Sequence, residues 1–216
     1  MSITDELYSQ LQDGQIGRIG DQLGISPQQA QAAVAAALPL LVGALGRNAQ
    51  QPQGAADLFG ALGKDHAGID VGGAFGSALG GVGQGGSILG HIFGRRQDNA
   101  ASGLGTATGL GNERAGALLR LLAPVVMAYL AKKMYDRRHA NDGAVSTPAA
   151  DAPSPDPGGL ASMLGRENAE IAQRGGVGSK LLGAVLDRDK DGDVDFSDLA
   201  GAAMIAASAI GAARRL

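Results

Sequence analysis

At 216 residues with a net charge of −3, the chain can bury one large core or two small ones, and no global field draws it to nucleic acid or anionic lipid. Aromatics are only 3% of the residues against 36 glycines, so alanine, leucine and glycine must do the packing. The absence of cysteine excludes disulfides and thiolate metal sites.

The first residues, Met1 to Glu6, are acidic and lack the apolar run of a secretory signal, so the cytoplasm is the expected location. Residues 2–12 predict a short amphipathic helix with Ile3, Leu7, Tyr8 and Leu11 on one side. A second helix, Ile16 to Leu23, ends at Gly24. Ser26 and Pro27 then open a long helix, Ser26 as N-cap and Pro27 where its missing N–H costs nothing. It carries Val34, Leu38, Leu41, Val42 and Leu45 to about Arg47, and Pro39 inside it predicts a kink or a break. Residues 55–63 give a further short helix on Leu58, Phe59 and Leu62.

Eleven of the residues between 68 and 94 are glycine, several at four-residue spacing. That pattern fits a glycine zipper joining helices or chains. At about 1 kcal/mol of helix stability lost per glycine, a flexible connector with short turns at Ala74–Leu79 and Ser87–Phe93 is the favoured reading. From Asn112, a candidate cap, the strongest helix runs to about Arg138 on Leu118, Leu119, Leu122, Val125, Val126, Tyr129 and Leu130. Lys132, Lys133, Arg137 and Arg138 lie at its C-terminal end, where the macrodipole favours cations. Its most apolar part, Ala115 to Ala131, carries Arg120 and Pro124 and falls short of the roughly 20 residues of a membrane span.

The two long helices answer each other. An offset of 85 places Gly24 on Gly109, Ile25 on Leu110, Ala30 on Ala115, Ala32 on Ala117, Pro39 on Pro124 and Leu45 on Leu130. The repeated glycine turn, helix and internal proline predict a duplicated helical unit. Residues 140–158 hold half of the chain's eight prolines and read as a polar linker. Beyond it, helices are expected at Leu160–Ile171 and Val177–Leu186, and again from Ser197 to Arg215.

Between the last two helices lies the densest chemistry of the chain. Asp187, Asp189, Asp191, Asp193, Asp195 and Asp198 occupy loop positions 1, 3, 5, 7, 9 and 12, with Gly192 at 6 and Val194 at 8. That is the spacing of an EF-hand calcium loop. Calcium wants six to eight hard oxygens, which alternating carboxylates on a tight turn supply. Asp187, Asp189 and Asp191 would ligate through side chains, Asp193 through its carbonyl, and Asp195 directly or through water. Gly192 permits the turn. Position 12 is ordinarily a bidentate glutamate; Asp198 is a methylene shorter, which lowers the expected calcium affinity and admits six-coordinate magnesium. Six aspartates against Arg188 and Lys190 leave the loop at −4.

No catalytic constellation is present: His66, His91 and His139 are isolated, and there is no G-x-S-x-G, P-loop or H-E-x-x-H. Gly81 to Gly86 formally matches G-x-G-x-x-G, with no strand predicted before it. Residues 16–30 look like a helix-turn-helix with its turn at Gly24–Ser26. Between Arg18 and Arg47 there is no lysine or arginine to hold phosphate or read guanine, so nucleic acid is not the expected partner.

Residues 16–47, Ile88-Leu89-Gly90-His91-Ile92-Phe93-Gly94 and 105–133 with Leu122-Ala123-Pro124 resemble the bacterial YidB-like family, a domain of unknown function. The resemblance spans about residues 1–135 and implies a small all-helical, homeodomain-like fold, with no functional residue to carry over. The acidic loop resembles a single EF-hand, and its aspartate at 12 is similar to a dockerin repeat, although dockerins carry two loops.

Together these readings predict an all-α chain. A duplicated helical domain at 1–139, with a glycine-rich insert at 68–94, is followed by a linker at 140–158 and an EF-hand unit at 159–216. The expected function is non-enzymatic: calcium (or magnesium) binding by the loop, coupled to an unidentified protein partner or to self-association. Because EF-hands work in pairs, a homodimer through Val194 and the apolar flanks is expected. The alternatives are a helix-turn-helix nucleic-acid binder and a glycine-zipper assembly at a membrane or between copies.

Overall fold

The computed structural model describes residues 2–12, 14–65, 71–80, 84–142 and 156–174. Its helices are α1 (Ile3–Gln12), α2 (Gln15–Leu23), α3 (Pro27–Ala49), α4 (Pro52–Asp65), α5 (Val71–Leu79), α6 (Gly85–Phe93), α7 (Gln97–Thr108), α8 (Asn112–Asp142) and α9 (Pro157–Arg174), with a 3-10 turn at Gly94–Arg96. No strand occurs among the described residues, which are all-α.

The start of α3 follows from local chemistry. The Ser26 hydroxyl accepts from the Gln29 amide at 3.2 Å, and the Gln29 side-chain oxygen accepts from the Ser26 amide at 3.2 Å. Two amides that no helical carbonyl can reach are thereby satisfied, and Pro27 fills the first helical position. Gly24, at φ 62°, ends α2 in the left-handed region that glycine adopts without a Cβ penalty. The same device recurs later, where Gly109 at φ 70° ends α7 and α8 begins at residue 112, as α3 begins at 27. Asn112 is not the cap of α8. It is the first residue inside, and the Gly111 carbonyl accepts the first helical bond from the Ala115 amide at 3.1 Å.

Helices α3 and α8 form the centre, and the other helices pack around them. Residues 121–131 of α8 are buried on every side, as a helix apolar all round must be. By length and composition both central helices could cross a membrane, but 72% and 83% of their apolar windows are buried inside the bundle. Neither is divided by its proline: α3 runs through Pro39 and α8 through Pro124. Each proline removes the bond to the carbonyl four residues earlier. For Pro39 that carbonyl belongs to Ala35, which is exposed to solvent. For Pro124 it belongs to Arg120, against which the backbone of Gly85 is packed so closely that a Cβ would collide with the carbonyl.

The glycine-rich stretch is not a plain connector, because α5 and α6 occupy most of it. Three glycines in each helix cost about 3 kcal/mol. Burial of Val71, Ala74 and Phe75 in α5, and of Leu89, Ile92 and Phe93 in α6, returns about 1.5–3 kcal/mol for each large side chain. Packing on α8 therefore outweighs propensity. Gly76, Gly86 and Gly90 face open space, so their spacing joins no helices within the described residues.

Helix α9 lies past the proline-rich stretch, yet Leu160, Met163, Leu164 and Ile171 belong to the same continuous core as α3 and α8. Asp156 caps it through the Gly159 amide at 2.7 Å. Gly46 on α3 admits Asn168 of α9, whose amide donates to the Gly43 carbonyl at 3.3 Å.

Candidate functional site

The polar groups of the bundle gather at two places. At the first, α9 holds the start of α1. Glu167 is 4% exposed, and a buried carboxylate needs full compensation. It receives the Ile3 amide at 2.8 Å, the Thr4 amide at 3.1 Å and the Thr4 hydroxyl at 2.9 Å. The Ser2 hydroxyl takes the Asp5 amide at 3.1 Å, so the first three amides of α1 are all satisfied and its positive end faces a negative charge. Arg174 closes the contact on Ser2 at 3.1 Å and Asp5 at 2.5 Å. That bond from Arg174 holds the Asp5 carboxyl below its usual range against a smaller desolvation effect.

On the same helix, Glu6 accepts from the Tyr129 hydroxyl and the Lys133 ammonium of α8. Burial alone would push Glu6 up, but these two bonds outweigh it and its carboxyl lies below the usual value. Lys132 pairs with Asp136 at 2.8 Å. Since α8 continues to Asp142, Lys132 and Lys133 lie well inside it and answer carboxylates, not the helix end.

The second gathering point is the junction of α3, α4 and α6. Asn48 at the end of α3 donates to the carbonyls of His91 at 2.9 Å and Ile92 at 3.2 Å, capping the C-terminal turn of α6. His91 places Nδ1 2.8 Å from the Ser87 carbonyl. A carbonyl only accepts, so Nδ1 is the donor in this bond. One cleft, of about 280 Å³, opens between α4 and α6 over Leu45, Leu58, Ala61, Ile88 and Met127. Another, of about 240 Å³, is bordered by Arg47, Phe93 and Arg96. Asn48, His91 and Ile92 line both, so the clefts adjoin.

The residues predicted to ligate calcium, Asp187, Asp189, Asp191, Asp193, Asp195 and Asp198, lie outside the described residues, as do Val194 and His66. His139 falls in α8, where only its backbone is described. Among the described residues, no group of three or more His, Asp or Glu could hold a metal ion. The start of the predicted helix-turn-helix reading helix exposes Gln28, Gln29, Gln31, Ala32 and Ala35, none of them cationic. Sequence reasoning missed both gathering points. A signal for Glu167 was present: with Leu160, Met163, Leu164 and Ile171 it falls on one helical stripe, a carboxylate among apolar residues. Nothing local marks Asn48, whose partners lie more than 40 residues away.

A bundle built on two buried central helices, with capped ends and no strand among its described residues, defines a helical-domain protein. The chain belongs to the family described as a bacterial protein of unknown function (DUF937), whose pattern matches residues 5–133. At the level of a bacterial family of unknown function this agrees with the YidB-like resemblance. The match runs from α1 to Lys133 in α8 and leaves α9 outside it. No curated protein and no solved structure matches the chain.

Proposed function

We propose that the chain is a calcium-binding, non-enzymatic protein in which a DUF937 helical bundle carries one EF-hand-type loop. The observation behind this reading is the spacing of Asp187, Asp189, Asp191, Asp193, Asp195 and Asp198 about Gly192. The donor set consists of hard carboxylate and carbonyl oxygens, which suit calcium or magnesium and no soft metal. Asp198 in place of glutamate weakens the calcium site and admits magnesium. Ion binding orders the loop between its two predicted helices and alters how the chain meets a protein partner or a second copy of itself. The second copy pairs loops through Val194. The protein works in the cytoplasm, and its paired long helices derive from a duplicated, homeodomain-like unit. Support for the duplication comes from the common 85-residue offset of the Gly24 and Gly109 turns, the two helix starts and the internal prolines.

Isothermal titration of the full chain with each ion tests the reading. Heat from calcium that disappears in Asp187→Ala supports it. Absence of heat from both ions, or the same heat in the variant, overturns it. Light scattering with and without calcium decides the dimer, which a monomer under both conditions removes.

A further inference from the structure

We propose that α1, α3 and α4 form a receptor groove for an amphipathic helix, and that α9 is its detachable occupant. The occupant it accepts in exchange is the α9 of a second copy of the chain. The inference stands whether or not the acidic loop binds an ion. The family pattern covers residues 5–133, so α3 and α4 belong to the shared unit and the helix that covers them does not. Helix α9 packs on α3 and α4, whereas α3 also packs on α1, α2, α6, α7 and α8. Departure of α9 therefore uncovers one face of α3 and leaves the central pair of helices joined.

The contact has the form of a helix laid in a groove. Leu160, Met163, Leu164, Glu167 and Ile171 are buried at the spacing of successive turns, while Ser162, Arg166, Ala169 and Glu170 are exposed. Its polar contents are those of a separable interface rather than a permanent core. Glu167 takes the Ile3 and Thr4 amides, Arg174 reaches Asp5, and Asn168 enters the gap left by Gly46. The Asn168 Oδ1 is buried and accepts no hydrogen bond from any described residue. These groups set what fits: an apolar stripe, a carboxylate with an amide beside it, and a guanidinium seven residues beyond the carboxylate. A helix without the carboxylate leaves the first amides of α1 with no acceptor, so the groove discriminates at its polar end. Every copy's α9 carries this pattern and, once released from one bundle, fits the groove of another.

Hydrogen exchange and peptide binding, both on the full chain, test this. The helical amides of α9 should exchange at least about a hundredfold faster than those at the centres of α3 and α8, because α9 opens by itself. A fluorescent peptide of residues 156–174 stands for the α9 of a second copy, and its anisotropy reports binding. Saturable binding is expected, tighter to a chain whose own α9 is weakened. Glu167→Gln in the chain should strengthen peptide binding about fivefold, and the same substitution in the peptide should weaken it about fivefold. A merely structural Glu167 gives no such opposite response. Protection of α9 equal to that of α3 and α8, failure of the peptide to bind the Glu167→Gln chain, or shifts of the same sign in chain and peptide overturn the proposal. The exchange measurement on the parent chain needs no variant to fold.

Discussion

Glu167 gives the sharpest stability prediction, because its burial and its partners pull in opposite directions. Replacing a buried carboxylate by a well-packed apolar side chain is often neutral or stabilising, since the desolvation cost disappears. Here the partners are the Ile3 and Thr4 amides at the start of α1, which have no helical acceptor to fall back on. A hydrogen bond to a charged group contributes about 1.5–3 kcal/mol, and a lost N-terminal cap about 1 kcal/mol. Allowing for the relief of desolvation, Glu167→Ala should cost about 3 kcal/mol. Glu167→Leu, which suits the stripe of Leu164 and Ile171, should still cost about 2 kcal/mol. Glu167→Gln keeps one acceptor oxygen and should cost about 1 kcal/mol. Urea unfolding followed by circular dichroism measures all three. A leucine variant as stable as the parent would refute the reasoning, because Glu167 would then be a tolerated charge and not the cap of α1.

The remaining predictions concern glycine, acid and the end of α6. Gly85→Ala drives a methyl into the Arg120 carbonyl and should destabilise by about 2 kcal/mol, whereas Gly90→Ala enters open space and should stabilise by up to about 1 kcal/mol; urea midpoints that move in the same direction would contradict this. Glu6 and Asp5 both have folded pKa values below their ordinary ones. Their contribution is complete above the unfolded carboxylate range, near pH 4, and is lost as pH falls through the folded values. Lys133→Met removes one donor to Glu6 and should flatten that acid loss; superimposable stability–pH profiles for variant and parent would exclude the assignment. Asn48→Ala uncaps two carbonyls of α6 and should cost about 1 kcal/mol, read by the same unfolding assay.

Local chemistry was legible in the sequence at the turn into α3, where the deciding partners lie within a few residues. It was not legible at the start of α8, where Asn112 is inside the helix and not its cap. Ser26, Pro27 and Gly24 specify the turn into α3, and the apolar spacing of Val34, Leu38 and Leu41 identifies its buried face. The expected helices at 2–12, 16–23 and 55–63 all have counterparts, the last reaching back to Pro52. Where long-range packing decides, local rules fail. Glycine propensity argues against α5 and α6, and only burial on α8 reverses the balance. The continuity of α3 and α8 through their prolines likewise depends on what surrounds them. The seat of α9 on α3 joins Asn168 to Gly43, 125 positions apart, and that of Glu167 on Ile3 spans 164, and periodicity cannot specify such pairings. His91 is isolated in sequence, and only the fold brings it to Asn48 and the clefts.

The calcium loop is the feature whose chemistry is clearest in the sequence, and it calls for a direct measurement. The decisive experiment is calorimetric titration of the full chain with calcium, beside Asp187→Ala and, as a control in the bundle, Asp57→Ala. The account predicts one ion per chain for the parent and Asp57→Ala, and loss of binding in Asp187→Ala. Equal binding by all three proteins, or no binding by the parent to either calcium or magnesium, would contradict it.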